Sequence, residues 1–194
     1  LYSRSIMLGM LNGNPLVLGG GSNTLTLTAA DASSNCIFLR LPAGGTHAAL
    51  NGIATCSNPA GIAIKSSGAF GNTLLGQTIA LGFNLRVPGS VLSSLQITGK
   101  YLTTAQSSGT GCVNPTATAV PGTNQTYVIP TAVINWLGAN NTVAGLFTLA
   151  NQALAGTLPA GAPSLGLINS AVDAINRGFD KCRVLVGFSN VAPT

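Results

Sequence analysis

Hydrophobic positions in this chain change spacing from short alternating runs in the first half to helical spacing in the last third. Residues 24–29 alternate Thr with Leu, the period-two mark of a half-buried strand. Residues 36–41 form a second short apolar run, closed by Pro42, and Gly19, Gly20, Gly21 and the polar stretch 31–35 read as turns. Residues 42–72 are rich in Gly, Ala, Asn and Ser, which predicts an irregular segment pinned by Cys56. Residues 72–87 carry two patterns at once. Leu75, Ile79, Leu81, Phe83, Leu85 and Val87 share one parity, as on a strand, while Leu75, Ile79 and Phe83 also fall at helical spacing behind Asn72, a good helix N-cap. Local pattern leaves that segment open.

Further on, 95–98 and 101–104 suggest a hairpin about Gly99 and Lys100, followed by a long polar loop over 105–126 and a short strand at 127–129. The last third predicts helices. The first carries Val133, Ile134 and Leu137, starts at Thr131 and stops at Gly138. The second is capped by Asn141, aligns Val143, Leu146, Phe147, Ala150 and Leu154, and ends at Gly156. The third is capped by Ser164 and aligns Leu165, Ile168, Val172, Ile175 and Phe179, with Asp173 and Arg177 as an outward i,i+4 pair. Residues 184–188 read as a closing strand. At the other end, Ile6, Met7, Leu8, Met10, Leu11, Leu16, Val17 and Leu18 form an apolar stretch broken by Asn12, Gly13, Asn14 and Pro15. It has no obvious local partner. The expected fold is therefore α+β, with N-terminal strands and irregular loops, a helical C-terminal half, one disulfide-linked domain over 19–194 and an extended N-terminal arm over 1–18. We expect the arm to reach into a neighbouring copy, adding a strand or filling a groove; an arm folded back on its own domain is the alternative.

Composition sharpens this picture. Charged residues make up 6% of the 194 positions, against about 25% in an ordinary soluble domain. Glu is absent and the acids are Asp31, Asp173 and Asp180. Mean hydropathy is +0.45. Interspersed charge is what keeps colliding copies apart, so the surface is either covered by Ser, Thr, Asn and Gly or hidden against neighbours. No apolar run reaches the ~20 residues of a membrane-spanning helix. The eight cations are scattered, and Asp173 and Asp180 sit among Arg177, Lys181 and Arg183, so nucleic acid is not an expected partner. The sequence opens on Leu1 rather than Met, as a processed form or an excised domain does.

The cysteines, Cys36, Cys56, Cys112 and Cys182, are even in number, with no close-set pair of the zinc-binding kind. Two disulfides in an oxidising compartment are expected. Of the three connectivities, we favour Cys36–Cys56 with Cys112–Cys182; four buried thiols are the alternative. Catalytic machinery is not evident. His47 lies in a small-residue loop, Asp173 and Asp180 each have a cation nearby, and no nucleophile elbow, phosphate cradle or acidic calcium loop occurs. No cofactor and no metal is expected. Asn124 and Asn140 begin glycosylation sequons, common by chance in a chain rich in Asn and Thr. The single Trp136 and Tyr2, Tyr101 and Tyr127 make no recognisable stacking platform, and aromatics at 5% of residues argue against a carbohydrate-binding face made of exposed rings.

Three segments carry a resemblance: Leu75-Gly76-Gln77-Thr78-Ile79-Ala80-Leu81-Gly82-Phe83-Asn84-Leu85, Leu149-Ala150-Asn151-Gln152-Ala153-Leu154-Ala155-Gly156, and the run from Ile168 through Asn176, Arg177 and Asp180 to Cys182. Together they resemble a poorly characterised module of large secreted and cell-surface proteins of Bacteroidota-type bacteria, over about residues 35–188. The resemblance implies export, a surface or matrix role, helix over 73–86 and no catalytic residue to carry over. The expected function is a self-assembling structural subunit of an extracellular filament, sheath or surface layer, with copies of itself as partners. The alternative is an adhesin-like or matrix-anchoring module of a larger secreted protein, recognising its ligand through the 105–126 loop.

Overall fold

The computed structural model describes residues 2–109 and 116–193. The chain begins with helix α1, Arg4–Leu11, whose first turn is closed by Ser3 Oγ accepting from the Ile6 N–H at 3.5 Å. Met7, Met10 and Leu11, spaced at three and four, are buried. After the Asn12–Pro15 break the backbone becomes β1, Leu16–Gly20, and turns through Gly21 and Ser22 into β2, Asn23–Leu27. Gly21 holds a positive φ of 57°, the conformation a two-residue hairpin turn asks for. The strands pair antiparallel with Leu16 opposite Leu27 and Leu18 opposite Leu25, and β3, Ile53–Thr55, adds in parallel to β2. Leu16, Leu18, Leu25, Leu27 and Ala54 are buried.

The N-terminal segment is thus not an extended arm. Met7, Leu11, Leu16 and Leu18 are at most 2% exposed, inside the domain's own core. Their partners are the leucines of the very strand that the Thr–Leu alternation marks. Arg86 locks the arrangement, donating to the carbonyls of Met10, Asn14 and Pro15 at 3.3, 2.6 and 2.9 Å. A domain boundary at residue 18 would cut β1 in half.

Two short helices follow, α2, Ala29–Ser33, and α3, Cys36–Arg40. The Asp31 carboxylate accepts from both the N–H and the hydroxyl of Thr28, each at 2.8 Å, closing the first turn of α2. The apolar run at 36–41 is therefore helical, not a strand. Asn35 takes a left-handed φ of 64° between the two helices, and the Cys36–Cys56 disulfide ties α3 to the end of β3. Residues 42–72 are irregular apart from β3, as expected. They are fastened by Arg40, which donates to the carbonyls of Cys56 and Gly68, and by Asn72, which donates to the Ala48 carbonyl.

The ambiguous segment is helix α4, Thr73–Asn84, with Asn72 Oδ1 accepting the Leu75 N–H at 3.2 Å. Leu74, Leu75, Ile79, Leu81 and Phe83 are all buried, so the helix has no fully wet side. A helix covered all round shows no 3.6-residue stripe, which is why its sequence mimics a strand. Gly82 lets β1 and the next long helix close on it: a methyl there would come within 2.9 Å of Leu16 Cδ1 and 3.3 Å of Phe147.

The C-terminal helices are α5, Thr131–Leu137, α6, Val143–Ala155, and α7, Leu165–Gly178. Their buried faces match the expected ones, and Ser164 caps α7 by accepting from the Leu167 N–H. The cap of α6 is Thr142, one residue later than expected, with Oγ1 accepting from the Gly145 N–H at 3.0 Å. Strand β4, Tyr101–Ala105, sits between β5, Gln125–Val128, and β6, Val184–Ser189, both antiparallel to it. The expected 95–98/101–104 hairpin is absent because 95–97 bonds elsewhere. Ile97 N–H donates to the Asn141 carbonyl and Val143 N–H to the Leu95 carbonyl, fixing the entry to α6. Leu102, Tyr127 and Phe188 form one cross-strand row. Gly178 brings α7 onto that row, since a methyl there would come within 2.6 Å of Leu102. The whole is an α+β domain, two small sheets joined by a helical core.

Candidate functional site

The few charged side chains mostly hold backbone together. Besides Arg40 and Arg86, Arg183 donates through Nε to Thr104 Oγ1 and through Nη2 to the carbonyls of Thr104 and Thr123, at 2.7 to 2.9 Å. Burial lowers the pKa of Arg86 from the ordinary guanidinium value by desolvation. Asp173 accepts from Gln77 Nε2 at 2.8 Å and pairs with Arg177 at 3.6 Å. It belongs to a chain of hydrogen bonds along the α4–α7 seam. Tyr2 OH donates to Asn84 Oδ1, Asn84 to Asn176 Oδ1, and Asn176 to the Gln77 side chain and carbonyl. His47 is exposed and lies beside Gly166 at the start of α7.

Asp31, Cys36 and Cys56 place potential metal donors within 4.8 Å of one another. The two sulfurs are bonded to each other and offer no thiolate, and the Asp31 Oδ2 already serves Thr28. The group does not fit a metal ion. Cys182 is disulfide-bonded as well. Its expected pairing with Cys112 lies outside the described residues.

Three surface features remain. The first is a cavity of about 430 Å³ where α7 ends against β5 and the turn at 180–182. Arg177, Lys181 and Arg183 line it with Asp180, so cations predominate. Tyr127 forms part of the wall, beneath the Arg177 guanidinium at 5.5 Å, with its hydroxyl donating to Gln125. Lys181 and Cys182 both hold left-handed φ, 53° and 60°, a conformation costing a residue with a side chain about 1–2 kcal/mol. Gln106, Ser107 and Gln125 place this cavity at the base of the 105–126 loop.

The second is an open groove of about 540 Å³ between α5 and α6, with Trp136 in its lining. The third is the edge of β6. This strand pairs with β4 on one side, and no strand among the described residues pairs with the other. Leu185 and Val186 are 40% and 48% exposed. A bulge opposite Thr103 and Thr104 makes Val186 the extra residue of the ladder.

The expected assembly residues do not gather on a surface of this kind. Met7, Met10, Leu11, Leu16 and Leu18 are buried, Leu8 packs partly against the core, and only Ile6 and Val17 stand about half exposed, on α1 and β1. Sequence reasoning reached β6 as a strand but had no means of knowing that it forms an edge. No family model matches this chain, and no curated protein or solved structure is detectably similar to it.

Proposed function

We propose that this chain is a non-catalytic structural subunit of an extracellular assembly, joining copies of itself through the open edge of β6. The observation that carries this reading is an apolar edge strand, Val184–Ser189, without Lys, Arg, Asp, Glu or Pro. Monomeric proteins guard such edges with charge, proline or a cover, because unpaired N–H and C=O groups template another strand. Among the described residues the Val186 bulge is the guarding device at this edge, and the adjacent Arg183 is turned inward onto Thr104 and Thr123. Two β6 strands meeting antiparallel would build a continuous six-stranded sheet with no charge repelling across the seam. The disulfide and the resemblance to secreted surface modules favour an exported setting. No helix among the described residues is long and apolar enough to cross a membrane.

Light scattering after size exclusion, with negative-stain microscopy of the same fractions, tests this. Wild-type protein is expected to form a dimer, the closed product of one isologous β6–β6 contact and the building unit of the assembly, and Val186→Lys to run as a folded monomer. A wild-type monomer at all concentrations, or assembly indifferent to Val186→Lys, overturns the edge mechanism. The cavity at the base of the 105–126 loop favours a second reading, an adhesin-like module whose cationic pocket takes an acidic group of a matrix partner. That reading predicts saturable binding of an acidic glycan by monomer, lost in a Lys181→Ala, Arg177→Ala double variant.

A further inference from the structure

The groove between α5 and α6 matches neither the edge nor the cationic cavity in chemistry. Its lining has no charged residue. Trp136 is 38% exposed and is the only tryptophan of the chain. Beside it are the exposed amides of Asn140 and Gln152 and the hydroxyl of Thr148. Among the described residues, neither side-chain amide has a hydrogen-bond partner, and nor has the indole N–H. The walls are anchored. Leu137 and Leu149 anchor the two helices in the core, Gly138 turns the chain with a φ of 52°, and the Thr142 cap holds the start of α6.

We infer that this groove binds a neutral saccharide. An indole gives a flat, weakly polar surface against which the C–H face of a sugar ring packs, while its N–H stays free to donate. Amide side chains present a donor and an acceptor side by side, the pattern that neighbouring sugar hydroxyls complement. The volume suits a ligand of one to a few rings. A charged sugar would leave its anion or cation without a counterpart in a lining of this composition, so the neutral class is selected. The inference stands apart from the assembly reading: the groove lies between α5 and α6 and shares no lining residue with β6, so a monomer would bind equally well.

Because Trp136 is the only indole, its fluorescence reports on this groove without labelling. Titration of the wild-type protein with cellotriose, maltotriose and chitotriose, each to about 10 mM, is expected to give a saturable emission change with at least one of them. Calorimetry should show roughly tenfold or greater weakening in Trp136→Ala and a clear weakening in Gln152→Ala. Gln152 is exposed and its side chain has no hydrogen-bond partner among the described residues, so this second variant leaves the fold intact. No saturable change with any of the three sugars overturns the inference. So does calorimetric binding that survives both substitutions, or tighter binding of a sulfated or uronic trisaccharide through the same Trp136 signal.

Discussion

At the residue scale, polar side chains in this protein act mainly as fasteners, and the consequences are measurable. Arg86 satisfies three carbonyls where α1 passes into β1. Charged hydrogen bonds contribute about 1.5–3 kcal/mol, and truncation leaves the carbonyls dependent on water. Arg86→Ala is therefore expected to lower unfolding free energy by about 2–3 kcal/mol, read as a lower midpoint in urea at unchanged slope. Arg86→Lys should recover only part, since one ammonium cannot reproduce the guanidinium fork. Tyr2 gives a pH dependence. Burial raises its pKa above the ordinary phenol value of 10.0, because the half-buried site disfavours the phenolate. A folded-state pKa raised above the unfolded one means the stabilisation is complete below about pH 10 and disappears as pH climbs through the folded value. Thermal midpoints between pH 8 and 11 should fall more steeply in wild type than in Tyr2→Phe. At neutral pH the variant should lose about 1 kcal/mol, the worth of its bond to Asn84. None of these fasteners is legible in the sequence, because each joins residues 16 to 99 positions apart or an arginine to bare backbone.

At the scale of elements, legibility followed solvent exposure. Helix α7 has one dry and one wet face, so Ile168, Val172 and Ile175 repeat visibly and Ser164 marks the start. Helix α4 is dry nearly all round, so a period-two pattern competes with the helical spacing of Leu75, Ile79 and Phe83, and the Asn72 cap and the resemblance are what favour helix. Helix α3 is five residues long, too short for a period of 3.6 to show. The β1–β2 hairpin did leave a signal, since Leu16 and Leu18 mirror Leu25 and Leu27 across Gly21 and Ser22. Taking those residues for an arm missed it. Removing residues 1–18 takes away Met7, Leu11, Leu16 and Leu18, each worth about 2–5 kcal/mol when a core side chain is lost. Together they amount to roughly 8–20 kcal/mol, comparable to or above the about 5–15 kcal/mol that holds a domain together. The truncated chain is expected to lose its far-ultraviolet dichroism and cooperative melting, rather than to remain a folded monomer.

For the whole molecule, stability rests on few devices, and so would the proposed association through β6. The Cys36–Cys56 bridge closes a loop of 20 residues, for which restriction of the unfolded chain contributes about 3 kcal/mol. Cys36→Ala with Cys56→Ala should lower the unfolding free energy by that order, measured by denaturant titration, while leaving the β6 edge, and any assembly proposed through it, unchanged. What the sequence by itself determined is what depends on composition and on contacts near in the chain. An almost charge-free composition, the α+β class and the three C-terminal helices with their faces all belong there, whereas the Cys36–Cys56 pairing, one of three possible connectivities in the sequence, was settled by the fold. Amphipathic period, caps and residue counts act locally, so they survive in a linear reading. Only the tertiary structure decided that the N-terminal residues lie inside the core and that 73–84 is a helix. It alone placed β6 at an open edge, and set Trp136 between two helices in an uncharged groove. Each of those depends on which distant surface covers a residue, and the free energy of burial is assigned by that neighbour rather than by the residue's position in the chain.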